Sequence, residues 1–328
     1  MNYSSIGPGL QPISALSLGS WNTFSRLRFG DTVDLIRRAL DLGVNFFDVG
    51  YYWDKPHTEV IFGRALQVVG AQRSDYLLAE KLWLWDYPQQ SFADQLKASL
   101  VCLGLAEVDL VMVSRPLPEM DFIAFCEEVI ALIDAGLARA WGVTNWQPQE
   151  VLRAHQHFWR LGKPTPRLLQ LQYNLARRAV VESQGYQQVF AETDVKLCAA
   201  HTLEGGILGG HIERDRVNPS EMAAGKVPHE RNIARDAGGI RDKIRDNYPQ
   251  LEQIARRFGA TPAQLAIAFC MGHADVATTL VGVTRLANLE ENLGAIELLG
   301  KAKELRAALA PLALEQVAHP RLFSPYKE

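Results

Sequence analysis

The sequence predicts an α/β fold, a (β/α)8 TIM barrel in a single domain over residues 1–328. Three observations carry that expectation. Short aliphatic or β-branched runs alternate with longer amphipathic segments along the whole chain. Eight such runs occur, each followed by helical spacing, which implies parallel strands joined by right-handed crossovers. At 328 residues and 48% hydrophobic, the chain can bury one large core, and eight βα units close naturally into a barrel. A doubly wound sheet also alternates but has no reason to stop at eight.

The expected strands are 13–20, 44–50, 76–82, 110–115, 138–145, 167–174, 195–201 and 278–284. The first helix, 31–42, places Val33, Ile36 and Leu40 on one face, with Asp31 as N-cap and Gly43 closing it. Further helices are expected at 57–69, 90–103, 121–135, 148–160, 180–192, 249–258, 261–271 and 288–296. Between 201 and 247 periodicity is weak and Gly, Asp, Arg and Pro abound. Loops of that length are usually functional or disordered, and this one leaves the C-terminal end of the seventh strand, where barrel chemistry sits. The tail, 305–328, reads as a helix followed by a Pro-broken segment over the barrel mouth.

A net charge of −3 argues against a general nucleic-acid or anionic-membrane binder. The four cysteines, Cys102, Cys126, Cys198 and Cys270, form no C-x-x-C pattern, which fits reduced thiols rather than a disulfide framework or a metal site. The N-terminus shows no signal peptide pattern. The most apolar stretch, 264–283, is interrupted by His273 and Asp275. A cytoplasmic protein is expected, monomer or homo-oligomer, with neither nucleic acid nor membrane as partner.

In a barrel the informative positions are the C-terminal strand ends. Here they hold Ser20, Trp21, Asp48, Lys81, Ser114, Arg115, Thr144, Asn145, Gln170 and His201. Asp48 and Lys81 end neighbouring strands and can meet as a buried ion pair. One reading of the pair is structural, each charge compensating the other. The other is functional, with Asp48 holding Lys81 while Lys81 tunes an acid beside it. The residues alone leave both open.

Several motifs at these strand ends resemble one family. They are Asn45-Phe46-Phe47-Asp48 with Glu59-Val60-Ile61-Phe62-Gly63, Lys81 closing the third strand, and Gly142-Val143-Thr144-Asn145-Trp146. Gln170-Leu171-Gln172-Tyr173-Asn174 and Val281-Gly282-Val283-Thr284 with Glu291-Asn292 follow in order. Together they resemble the aldo-keto reductase superfamily over nearly the whole chain. Ser114-Arg115-Pro116 and residues 262–268 are most similar to the branch of potassium-channel β-subunits and their bacterial relatives.

The resemblance implies an NADPH-dependent oxidoreductase lacking a Rossmann fingerprint. It assigns the nicotinamide amide to Thr144, Asn145 and Gln170, with Ser20 and Trp21 beside the cofactor; carboxamides offer donor and acceptor alike. It assigns the pyrophosphate to the long loop after strand seven, at Leu203, Gly205, Gly206, Leu208 and Gly210. Glycines there let backbone N–H groups approach an anion, although the Glu204 carboxylate is an awkward neighbour for phosphate. The adenosine end falls to Thr284, Arg285, Asn288, Glu291 and Asn292. A helix N-terminus with Arg285 favours a 2′-phosphate.

The chain also departs from the family pattern. The family's catalytic tetrad is Asp, Tyr, Lys and His, and Asp48 and Lys81 match. The position of the Tyr, the general acid, holds Trp53, and the Asp48-to-Glu59 spacing leaves no indel to restore it. Ser114 stands at the His position and Ala200 at that of a stacking aromatic. An indole N–H does not act as an acid near neutral pH, so Tyr52, one residue early, is the candidate proton donor. Tyr51, Tyr52 and Trp53 read equally as an aromatic pocket wall packing against Trp21, Trp83 and Trp85. His57 and His201 are alternative donors.

Three functions are compatible with these residues. One is reduction of a small carbonyl or imine, aromatic or cyclic, using Asp48, Lys81 and Tyr52 in a pocket of Trp53, Trp83, Trp85 and Ser114. An iminium brings its own positive charge, and aromatic faces can hold it. The second is a catalytically weak NADP(H)-binding protein that senses redox state or binds a partner. The third is non-redox chemistry with Lys81 and Asp48 as acid and base, against which Asn145, Gln170 and Asn292 speak. The first is the expectation carried forward.

Overall fold

A computed structural model describes residues 1–21, 23–52, 55–213 and 239–315. Trp53 lies outside the described residues, as do 214–238 of the long loop and the tail from 316 onward. Eight parallel strands close into a barrel: β1 (Leu16–Gly19), β2 (Phe46–Asp48), β3 (Leu77–Leu82), β4 (Val108–Ser114), β5 (Ala138–Thr144), β6 (Leu168–Gln172), β7 (Lys196–Ala200) and β8 (Val276–Val281). Each pairs with its sequence neighbour, and β8 closes on β1. The helices are α1 (Phe29–Asp41), α2 (Thr58–Val69), α3 (Phe92–Leu103), α4 (Phe122–Asp134), α5 (Pro148–Arg160), α6 (Gln184–Glu192), α7 (Ile240–Phe258), α8 (Pro262–Met271), α9 (Leu286–Leu293) and α10 (Ala302–Ala308).

Alternation along the strands sorts side chains into two cores. Phe46, Leu77, Ala79, Leu110, Met112, Ala140, Leu168 and Cys198 form the barrel interior. Phe47, Leu78, Val111, Val113, Val143, Leu169 and Leu197 face the helices. A short antiparallel hairpin, Tyr3–Ser4 with Ile13–Ser14, adds Ile13 to the interior core. The same alternation turns Asp48, Lys81 and Gln170 inward at the upper rim, each two residues beyond Phe46, Ala79 and Leu168 of the apolar layer. Helix caps are local and legible: Asp121 accepts from the backbone N–H of Ile123 (3.0 Å) and Ala124 (3.2 Å).

Four expectations need correction. The strand expected at 13–20 is divided, because Ile13 and Ser14 pair with the hairpin and only Leu16–Gly19 joins the barrel. Asp31 is not the cap of α1. The cap position is Arg28, and Asp31 sits in the first turn, where its charge complements the helix dipole. The helix expected at 249–258 starts at Ile240 and runs through Pro249, so residues 240–247 are not loop. Ile240, Ile244, Tyr248, Leu251 and Ile254 make a buried stripe that offsets the proline. α6 begins at Gln184 rather than 180, after turns through Ser183.

Candidate active site

The ion pair expected at the rim is present. The Lys81 ammonium donates to both carboxylate oxygens of Asp48, and the two side chains are 8% and 4% exposed. Gln170 Nε2 donates to Asp48 Oδ2 at 3.2 Å and lies 3.8 Å from Cys198 Sγ. Burial pulls the Lys81 pKa down, but Asp48 and Tyr52 reverse this and leave it above the ordinary lysine value. Lys81 is therefore a fixed cation, and with Asp48 it makes a neutral pair.

Tyr52 lies within electrostatic range of this pair. Its side chain is buried, and Lys81, Asp48 and the Ser20 hydroxyl all lie close enough to act on its phenol. Burial dominates, lifting its pKa to about 12 although Lys81 works in the opposite direction. The backbone explains how the residue gets there. Trp83 Nε1 donates to the Tyr51 carbonyl at 2.8 Å, and the Lys55 N–H donates to the Tyr52 carbonyl at 2.7 Å. The Tyr51 and Tyr52 carbonyls are thus tied to Trp83 and Lys55. Tyr51, by contrast, is 39% exposed.

Aromatic rings line the approach. Trp83 stacks on Trp85 at 4.3 Å between centroids, with planes 7° apart, and Tyr52 lies 6.0 Å from Trp83. Among the described residues, the Trp21 ring meets His201 edge-on at 5.5 Å. Gln95 holds the Trp83 backbone from both sides, accepting from its N–H and donating to its carbonyl, each at 2.9 Å. Ser114 is buried at the end of β4, in register with Thr144 on β5, which is in register with Gln170 on β6.

Left-handed backbone collects at this rim. Among the described residues, three other than glycine have positive φ: Asn145 (58°), His201 (54°) and Glu204 (47°). All three follow barrel strands at the end where Asp48 and Lys81 sit. Such conformations are costly and persist where surrounding structure enforces them. Gly205 (φ 68°), Gly206 (φ 101°) and Gly210 (φ 98°) carry the same handedness onward, which requires glycine for ease.

Glu204 proves to be a structural anchor below that loop. It is 1% exposed, accepts from Arg177 Nε at 2.9 Å and Nη2 at 3.0 Å, and accepts from Asn174 Nδ2 at 2.9 Å. Burial alone would raise its pKa, yet Arg177, His201 and Arg241 together hold it below the ordinary carboxylate value. Its charge is thus already spent on a bidentate guanidinium. Arg241 approaches from α7, its Nη2 lying 3.5 Å from where a Gly205 Cβ would stand.

The residues expected to hold a nicotinamide cofactor come together only in part through side chains. Thr144 Oγ1 is buried at the rim with no hydrogen-bond partner among the described residues, a donor and acceptor suited to a carboxamide. Asn145 and Gln170 flank it in register. Leu208 is 1% exposed and packs in the core, so its backbone is what it can offer. Thr284, Arg285 and Glu291 are exposed around the start of α9, with Arg285 at its cap position, while Asn292 is buried. These groups fit a nicotinamide dinucleotide.

Comparison with known proteins settles the family. The Aldo/keto reductase family model matches residues 15–308. The chain belongs to this family, whose members are generally NADPH-dependent oxidoreductases. Its relatives include a "Probable voltage-gated potassium channel subunit beta" of Arabidopsis thaliana, 27% identical over 97% of this chain and 95% of the relative. A "Putative voltage-gated potassium channel subunit beta" of Schizosaccharomyces pombe is 27% identical, over 95% and 91%. A "Probable voltage-gated potassium channel subunit beta" of Oryza sativa subsp. japonica is 29% identical, over 91% and 92%.

Sequence reasoning missed Cys198, Glu80 and the Arg177–Glu204 anchor. Cys198 carried no signal. Glu80 did: two consecutive charged residues, Glu80 and Lys81, within an otherwise apolar strand must face opposite sides.

Proposed function

We propose that this aldo/keto reductase family member is an NADPH-dependent reductase of a small carbonyl compound, with Tyr52 as its proton donor. The observation that supports this reading is the burial of Tyr52 where the charges of Asp48 and Lys81 act on its phenol, although its sequence position is one short of the family's tyrosine. Thr144, Asn145 and Gln170 orient the nicotinamide, and the backbone of Gly205 and Gly206 receives the phosphates. Arg285 at the start of α9 favours a 2′-phosphate. When bound, NADPH supplies hydride to the carbonyl carbon. Tyr52 gives its phenolic proton to the carbonyl oxygen, and Lys81 stabilises the tyrosinate left behind. Asp48 keeps Lys81 in place, while Trp83 and Trp85 screen the pocket from water and select ring-bearing substrates. The four cysteines stand as free thiols, which suits the reducing cytoplasm. No helix among the described residues is long and apolar enough to cross a membrane.

The test is consumption of NADPH with an activated aromatic aldehyde. Turnover supports the reading. Binding of NADPH without turnover of any carbonyl supports a second reading, an NADP(H)-binding protein that senses redox state or docks on a partner. The names of the potassium-channel relatives favour that one.

Two expected results follow. Asn145→Ala and Gln170→Ala each weaken NADPH binding about two- to tenfold, the worth of one hydrogen bond; unchanged affinity in both, by fluorescence titration, places the nicotinamide elsewhere. The pH dependence is asymmetric. With the Tyr52 pKa at about 12, the phenol stays protonated through the neutral range, so the reduction rate is flat from about pH 6 to 9. Alcohol oxidation needs the tyrosinate, roughly one part in ten thousand at pH 8, and rises about tenfold per pH unit. A reduction rate falling across this range contradicts the assignment.

A further inference from the structure

Behind Lys81 lie two carboxyls with no part in the reading above. Glu80 precedes Lys81 on β3, so it faces outward, on the helix side of the barrel wall. It is fully buried, and Glu59 of α2 beside it is 2% exposed. Glu80 Oε1 accepts the Lys81 backbone N–H at 2.9 Å. Gly50 closes the cluster from the loop after β2: a Cβ there would stand 3.1 Å from Lys81 Cβ and 3.5 Å from Glu80 Oε1.

The remaining oxygens present a difficulty. Glu59 Oε1 and Glu80 Oε2 are buried and meet no donor group among the described residues, while the two carboxyls lie within hydrogen-bonding reach of each other. Two ionised carboxylates side by side without water are strongly disfavoured, and one proton between them supplies the missing donor. We infer that Glu59 and Glu80 share a proton at neutral pH and that Glu80, through the Lys81 N–H, positions the end of β3 that presents Lys81.

The surroundings agree. From α3, the Ser99 hydroxyl favours ionisation of Glu59, and the Cys102 thiol senses both carboxyls. From β3, the Lys81 charge and N–H favour ionisation of Glu80, and from the loop after β2 Tyr52 feels its charge. Burial outweighs these and, with repulsion from Glu59, leaves Glu80 well above the ordinary carboxylate value. Burial likewise raises Glu59. The pair titrates as a unit.

The positioning role rests on Lys81 acting in the site as proposed; proton sharing does not. Both are tested without substrate. In urea unfolding between pH 5 and 9, a raised carboxyl pKa makes the wild type lose stability as pH climbs, because the unfolded chain releases the proton first. Relative to Glu80→Gln, its folding constant falls by up to about tenfold per pH unit until the pair ionises. Parallel curves overturn the shared proton. In amide exchange by NMR, Glu80→Leu accelerates exchange at Lys81 by about tenfold, the scale of one lost hydrogen bond, and Glu80→Gln restores the wild-type rate. Unchanged exchange in Glu80→Leu overturns the positioning role; Glu80→Ala serves if the leucine variant does not fold. Carbonyl turnover enters neither measurement, so failure of the reductase reading and failure of this one give different results.

Discussion

Tyr52→Phe lowers kcat for carbonyl reduction by about 10²–10⁴, the usual worth of a positioned general acid, with KM little changed. That range is roughly 3–5 kcal/mol of barrier. Phenylalanine keeps the ring against Trp83, 6.0 Å away, so the pocket wall survives while the hydroxyl beside Lys81 and Ser20 is lost. The loss falls on kcat because the proton moves as the transition state forms, and ground-state binding rests on the rings. Steady-state kinetics on the purified variant decide it. An unchanged kcat removes Tyr52 from the chemistry. It would direct the search to iminium substrates, which arrive protonated and need only aromatic faces and orientation.

Glu204→Ala destabilises the protein by about 3–5 kcal/mol, because it leaves Arg177 buried without its bidentate carboxylate. Arg177 and Glu204 are each 1% exposed at the side chain, so water cannot take the carboxylate's place. Glu315 approaches Arg177 Nη1 at 3.5 Å but lacks the two-pronged geometry. Glu204 also holds a left-handed φ of 47°, a conformation that alanine bears no better. Glu204→Gly relieves that strain while breaking the same bonds, and so costs about 1 kcal/mol less than alanine. Urea denaturation of the two variants measures both effects. A loss under about 1 kcal/mol in Glu204→Ala would mean that Arg177 finds another partner or reaches solvent.

The barrel was legible because its cause is periodic. Alternation on β2, β3 and β6 turns Asp48, Lys81 and Gln170 inward whatever the loops do, and short-range capping at Asp121 needs only neighbouring residues. The limits of α7 were not legible from local rules. Pro249 marks a helix boundary in isolation, yet the stripe from Ile240 to Ile254 gains more by packing on the barrel than the proline takes away. Glu204 looked hostile to a phosphate-binding loop for a similar reason. Its partner Arg177 lies 27 residues earlier and meets it only once β6 and β7 are side by side.

By itself the sequence determined the number of βα units, the inward direction of the charged pair and the family, since each depends on period or on motif order. Only the tertiary structure buries Tyr52 where the charges of Asp48 and Lys81 act on its phenol. The loop after β2 is not a strand, so alternation says nothing about Tyr51, Tyr52 or their neighbours. A hydrogen bond runs there from Trp83, on the following strand's extension, to the Tyr51 carbonyl. The protonation of Glu59 and Glu80 is likewise tertiary, because it arises where Glu59 of α2 and Glu80 of β3 are both buried, and burial disfavours ionising both.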